Sequence, residues 1–276
     1  MGTERQGHRA AAGVPSLVLV DLDDTLYDWR WARRAGLAAV ATKWPAFARR
    51  PMAARSHEYV RLLNEVHDEV VRGRLDPEDA RTRRIARLAM YCGFRLSRRE
   101  AEEANEVYQV AYAAEERAVP GAREALSSLK ARATIGVVTN HRVDEQRRKL
   151  SVIGLATAID FLVTSEEVGV AKPHPEIFRR ALERAGVPAR QAVMIGDSWE
   201  ADVLGAHAAG IRPIWLHRSR GQPRDPSIAQ EIPGWRPVER LLRAVAGPRY
   251  ARTGRGSPRS GARPSKNRPS LRAPRR

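Results

Sequence analysis

Residues 16–29 read SLVLVDLDDTLYDW. Leu17 to Val20 are apolar without alternation, the pattern of a strand buried on both faces. Three aspartates follow at once: Asp21, Asp23 and Asp24. Carboxylates crowded at the end of a buried strand repel one another and resist leaving water. A bound cation is the simplest way to gather them there. The rest of the chain is therefore read for further ligands.

The chain has 276 residues, 42% of them hydrophobic, enough for one large domain or two modest ones with a real core. No stretch approaches the ~18–20 apolar residues of a membrane span. The first fifteen residues lack the apolar segment of a secretory signal, which points to a cytoplasmic protein. The single cysteine, Cys92, excludes an internal disulfide and a cysteine-based zinc site. It reads as a small buried hydrophobe.

The net charge is +17, but ten Lys or Arg and no acid stand between Arg249 and Arg276, which leaves +7 for everything else. This tail is rich in Gly, Pro, Ser and Arg and is expected to be disordered. Residues 249–276 could touch nucleic acid or an anionic surface non-specifically. A solvated tail without a specific partner is the plainer reading.

Along the chain, residues 1–15 read as a loose leader and 16–21 as the first strand. From Trp29 to Val119 the pattern is helical. Asp76-Pro77-Glu78-Asp79 is a helix start, with a cap, a proline at the first position and acids in the first turn. Ser97 to Glu100 is a capping box. After Pro120 short apolar strands alternate with helices: helix 121–131, strand 133–139, helix 143–153, strand 159–163, helix 175–185, strand 192–196, helix 199–209 and strand 211–216. That alternation means a parallel sheet with helices on both faces. The helical block is then an insertion after the first strand.

In open parallel sheets, ligands sit beyond the carboxyl ends of the strands. Three predicted strands end in polar residues there. They give Asp21-Leu22-Asp23-Asp24-Thr25, Thr139-Asn140, and Gly196-Asp197-Ser198-Trp199-Glu200-Ala201-Asp202. A fourth feature, Lys172-Pro173 within GVAKPHP, opens a helix.

These four motifs, in this order, resemble the haloacid dehalogenase-like hydrolase superfamily. The helices inserted after the first motif look like its subfamily with a type-one α-helical cap. The likeness covers roughly residues 16–220. It implies an α/β fold, a Rossmann-like doubly wound parallel sheet with an inserted helical cap. The core would comprise 16–27 and 119–245, the cap 28–118 and the tail 246–276.

The resemblance also implies phosphoryl transfer with Mg²⁺. Asp21 would be the nucleophile that forms an aspartyl-phosphate. Asp23 would protonate the leaving oxygen and then deprotonate water. Asp21 and Asp197 would hold Mg²⁺ with the backbone carbonyl of Asp23. Thr139, Asn140 and Lys172 would bind the phosphate oxygens. Asp202, with Ser198, would stand behind them, Asp202 orienting Lys172 or a metal-bound water. A halide needs no proton to leave whereas an alkoxide does, so Asp23 favours phosphate esters over haloacids.

The expected substrate is a small phosphorylated metabolite: a sugar phosphate, phosphoglycolate or a nucleoside monophosphate. A phosphomutase on the same core, or a nucleic-acid-binding protein acting through the tail, are the alternatives. The oligomeric state stays open.

Other residues carry plainer expectations. Asp24 reads as structural, and Thr25 as bonding locally to fix the loop. Asp28 reads as a helix cap or a group near the substrate. Glu200 reads as a solvated acid, and His141 and His174 as bystanders. Trp29 and Trp31 fall where a cap's hinge would lie. Arg81, Arg83, Arg84 and Arg87 read first as a solvated basic face, and second as a contact for an anionic substrate.

Overall fold

The computed structural model describes residues 15–218 and 225–247. Six parallel strands form one sheet: β1 (Leu17–Val20), β2 (Thr134–Thr139), β3 (Phe161–Thr164), β4 (Ala192–Gly196), β5 (Arg212–Leu216) and β6 (Gln230–Ile232). Their order is β3-β2-β1-β4-β5-β6. β1 is central, with Leu17 opposite Thr134 of β2 on one side and Ala192 of β4 on the other.

All four β1 residues are fully buried, and their alternation splits them between two cores. Val18 and Val20 join Ile135, Val193 and Ile195 on one face, with Leu126, Leu150 and Leu241. These last three come from α5 (Ala122–Lys130), α6 (Val143–Val152) and α10 (Val238–Ala246). Leu17 and Leu19 join Val138 and Met194 on the other face, under Ile177 and Phe178 of α8 (Pro175–Ala185) and Ala206 of α9 (Gly205–Ala208). The unbroken apolar run is thus the mark of a strand covered on both sides.

Four helices lie between β1 and α5 in the chain: α1 (Trp29–Lys43), α2 (Met52–Val71), α3 (Pro77–Tyr91) and α4 (Arg98–Ala114). They build a third core from Leu37, Tyr59, Leu62, Ile85, Leu88 and Tyr108. α1 and α4 pack so closely that a Cβ on Gly36 would lie 2.6 Å from the Tyr108 ring.

The two helix starts legible in the sequence are present. Asp76 accepts from the amides of Glu78 and Asp79 at 2.9 and 3.1 Å. Ser97 and Glu100 form a reciprocal capping box. Cys92 is buried in this third core.

Three features depart from the sequence reading. β6 and α10 are additional elements, both short and late in the chain. α7 (Ser165–Val168) is a single turn after β3. The helix expected over 199–209 begins as a π-helical turn, Trp199–Leu204. The expectations for residues 1–14 and for the basic segment 249–276 lie outside the described residues. Among the described residues, no helix is long and apolar enough to cross a membrane.

Candidate active site

The chain builds the sheet outward from β1 through β2 to β3, then returns to the other side of β1 with β4. The order reverses between β1 and β4, and a crevice opens beyond their carboxyl ends. Asp21 stands there, its amide donating to the Ile195 carbonyl at 2.9 Å.

Lys172 reaches the same place from the loop before α8. Its Nζ donates to Asp21 Oδ1 at 2.6 Å, Asp202 Oδ1 at 2.7 Å and the Val138 carbonyl at 2.7 Å. Three ammonium protons meet three acceptors. Burial works to strip the proton from Lys172, but Asp202 and Asp21 hold its pKa above the ordinary lysine value. Asn140 fixes the lysine's backbone, accepting from the Lys172 amide at 2.7 Å and donating to its carbonyl at 2.9 Å.

Asp202 is brought to the strand end by the π-helical turn. The amides of Asp202 and Val203 both donate to the Ser198 carbonyl, at 3.0 and 3.2 Å. The second of these is the wide-turn bond that tightens no further. Asp202 Oδ2 in turn accepts from the Ser198 amide at 3.0 Å. The Ser198 hydroxyl accepts from the Ala201 amide at 3.1 Å and so caps the turn. The carboxylate lies so close to β4 that a Cβ on Gly196 would stand 2.3 Å from Asp202 Cγ. Only glycine fits there.

Oxygens of Asp21, Asp197 and Asp202 lie within 4.8 Å of one another. Burial, then the neighbouring Asp202 and Asp23, push the Asp21 carboxyl up to about 7 against the pull of Lys172. Burial, then Asp21, Asp24 and Asp202, raise Asp197 well above its ordinary value. Too little positive charge serves this cluster. Both oxygens of Asp202 are engaged, so Asp21 and Asp197 are the acids with capacity to give. Hard oxygen donors of this kind fit a divalent cation such as Mg²⁺. Arg30, from the first turn of α1, donates to Asp197 Oδ2 at 2.8 Å.

Asp23 adds no carboxylate to that cluster. Lys149 Nζ donates to its two oxygens at 2.8 and 2.9 Å. Gln146 Nε2 donates to Asp23 Oδ2 at 3.0 Å and to Thr139 Oγ1 at 2.7 Å. Burial works to raise the Asp23 carboxyl, and Lys149 with Gln146 overrides it, leaving its pKa below the ordinary aspartate value. Of the seven strand-end and loop residues, Asp21, Asn140 and Asp202 gather on Lys172, Asp23 and Thr139 share Gln146 beside Lys149, and Asp197 stands with Asp21 and Asp202 under Arg30.

The sequence pattern of the haloacid dehalogenase-like hydrolases matches residues 15–210. This chain belongs to that family. It is 32% identical over 222 residues to the ribulose-1,5-bisphosphate 5-phosphatase of Halopiger xanaduensis, covering 71% of this chain and 82% of that protein. It is 41% identical over 126 residues to the pyrimidine 5'-nucleotidase YjjG of Escherichia coli, covering 45% of this chain and only 56% of that protein. The magnesium-bound HAD-hydrolase YfnB of Bacillus subtilis shares the fold, with a TM-score of 0.61 at 22% identity, over 83% of this chain and 99% of that one.

Sequence reasoning missed three contributors to the site of this hydrolase. Gln146 and Lys149 sit on the buried stripe of α6 with Leu150 and Ile153, at 0%, 3%, 4% and 5% exposure. Two polar residues on an otherwise apolar stripe were the available signal. Arg30 had none, since a basic residue in the first turn of a helix is ordinary.

Several expectations change. Asp28 makes no side-chain cap to α1. Instead it accepts from Arg117 at 2.9 Å and from Arg218 at 2.8 Å, joining the start and end of the helical block to the β5 exit. Thr25 Oγ1 is buried without a partner among the described residues, so no bond seen there lets the hydroxyl fix the loop. Asp24 does: it adopts φ 61°, and its Oδ1 accepts from the Arg30 amide at 2.7 Å.

His174 caps α8 through Nδ1, a place the sequence reading did not give it, and Glu200 is exposed, as a solvated acid would be. Trp31 is 45% exposed and stacks under Arg117, while Trp29 lines a cavity with His141. Arg84 is buried, contrary to the solvated-face reading.

Proposed function

We propose that this hydrolase cleaves small phosphomonoesters through an aspartyl-phosphate, with Asp21 as nucleophile. The observation that carries the reading is the Lys172 ammonium shared between Asp21 and Asp202, with Asp23 two residues on in a separate ion pair. One carboxylate is aimed and the other is kept for protons.

Asp21 would attack phosphorus, and the ester oxygen would leave. Asp23 would give that oxygen a proton in the first half and take one from the attacking water in the second. In the resting site Lys149 keeps Asp23 ionised. An arriving phosphate dianion raises the proton affinity of a nearby carboxyl, which suits it to act as an acid once substrate is present. Lys172 and the Asn140 amide would meet the charge on the phosphoryl oxygens. Asp21 and Asp197 would hold a Mg²⁺, which supplies charge neutralisation for nucleophile and phosphate. The four inserted helices would act as the cap that keeps large substrates out.

Relatives that carry phosphatase and nucleotidase activity support the same chemistry. Asp23 supports an alkoxide leaving group, which needs a proton, over a halide, which does not.

The test is phosphate release from a panel of small phosphomonoesters, with Mg²⁺ and with chelator. Metal-dependent release on a few members is the expected result. Release that is unaffected by chelator removes the metal from the reading. No release from folded protein on any member, p-nitrophenyl phosphate included, overturns it.

A further inference from the structure

A cavity of about 720 Å³ lies between the helical block and the start of α6. Its block side includes Tyr59, Arg84 and Tyr108, and its other side includes His141, the residue after Asn140. The volume is that of a small-molecule site.

The charges around this cavity are almost all matched. Arg148 donates to both oxygens of Glu116 at 3.0 and 2.6 Å. Arg142 pairs with Asp144 at 3.0 Å, and Arg81 pairs with Glu78. His141 lies 3.2 Å from Glu145.

Arg84 is the exception. It is 9% exposed, and among the described residues no carboxylate lies within ion-pair range of it. Its Nη1 donates to the neutral Tyr59 hydroxyl at 3.1 Å. Its Nε is buried with no hydrogen-bond partner among the described residues. The guanidinium rests 5.0 Å from the Tyr59 ring, and Tyr59 stacks on Tyr108. Arg33 stands nearby in the block, lying 4.0 Å over Trp29 with its own Nη1 buried and unpartnered among the described residues, and it adds positive potential.

A buried cation with an unused donor is costly to keep. A guanidinium held against an aromatic ring is already oriented for a planar or tetrahedral oxyanion, which it can bind through two donors. Tyr59 and Tyr108 provide rigid walls that limit how far the guanidinium can swing.

We propose that Arg84 binds a second anionic group on the substrate, a carboxylate or a second phosphate, at the end away from the ester that is cleaved. This rests on the phosphatase reading and narrows it: the preferred substrates are phosphomonoesters with a further oxyanion. A neutral sugar or base would leave the Arg84 charge uncompensated.

Matched pairs test this. O-phosphoserine differs from phosphoethanolamine by one carboxylate, and fructose 1,6-bisphosphate differs from fructose 6-phosphate by one phosphate. The first pair probes the carboxylate source and the second the phosphate source. In at least one pair kcat/KM is expected to favour the more anionic member about 10- to 100-fold, the range of a charge-assisted contact. Arg84→Met should collapse that ratio to below about 3-fold, mainly through KM, and Arg84→Lys should restore part of it.

The same pairs are titrated by calorimetry against the Asp21→Asn protein, which reads recognition without turnover. A binding preference there stands even if the phosphatase reading fails, and failure on p-nitrophenyl phosphate marks that failure separately. Equal affinity for both members of both pairs in the otherwise unchanged protein overturns the proposal. So does an equal loss on both members in folded Arg84→Met, which would make Arg84 a packing residue. A nucleoside monophosphate bound better than either anionic member also overturns it.

Discussion

The strand-end cluster and the cavity in the helical block use buried cations in opposite ways. At the strand ends, Lys172 and Lys149 spend their hydrogen bonds on acids and a carbonyl of the chain itself. In the block, Arg84 keeps a buried donor that has no hydrogen-bond partner among the described residues. The first region is complete in its own charges save for a cation. The second is complete only with something from outside. Chemistry that must be the same for every substrate belongs to the first kind, and discrimination among substrates to the second.

The largest expected effect breaks the first region. Asp21→Asn is nearly isosteric and should remove at least about a thousandfold of turnover on every panel member, because the amide cannot serve as nucleophile. Circular dichroism should show a folded protein. Retention of more than about a tenth of the turnover would assign the nucleophile elsewhere.

Gly196→Ala comes next. The added methyl must displace the Asp202 carboxylate, and overpacking of this kind costs about 1–3 kcal/mol, read by urea unfolding. Turnover should fall with it, since Lys172 loses an anchor.

Lys149→Met separates the two lysines. It should raise the pKa of Asp23, seen by carbon-13 titration of its carboxyl. Asp23 is held below its ordinary 3.8 and Lys149 above its ordinary 10.5. Stability from Asp23 is therefore present above pH 3.8 and lost as pH falls through its folded value. Stability from Lys149 is present below pH 10.5 and lost as pH rises through its folded value. The gap between Lys149→Met and the unchanged protein should be widest between these limits, at about 1–2 kcal/mol for a half-buried pair, and should close on either side. A gap that does not vary with pH would make Lys149 a packing residue.

The smallest effect sharpens the second region. Cys92→Ala trims the third core away from the cavity and should cost about 1 kcal/mol or less, with the matched-pair ratio unchanged. A changed ratio would mean that the block recognises substrate through its overall packing and not through Arg84.

Much of the first region was legible in the sequence because its parts are local. Asp21 and Asp23 end an apolar run, Asp197 and Asp202 end another, and Lys172 precedes Pro173 in a loop that opens a helix. The helix starts at Asp76 and Ser97 were legible for the same reason.

What escaped depends on pairings that only the fold makes. The Asp23 clasp joins residues 126 and 123 positions apart, through Lys149 and Gln146. Arg84 looked like its exposed neighbours Arg83 and Arg87, since a run of basic residues on α3 does not say which one turns inward. Thr25 sat in a promising place, yet its hydroxyl has no partner among the described residues. β6 has only three residues, two of them polar, and α10 lies beyond the last strand that the alternation of strands and helices predicted.

The central position of β1 has a consequence for how the molecule assembles. Among the described strands β1 is made before the others, and it is the one that every other part of the site must find. Its neighbours β2 and β4 are made only after the whole helical block, and the Asp21–Lys172 contact spans 151 positions. Closing loops of that length costs entropy before any contact repays it, which slows folding. The helical block has its own apolar core and can collapse early on local contacts, while β1 waits with four buried-type residues and a cluster of acids exposed. The segment that carries Asp21 and Asp23 thus waits longest for its partners.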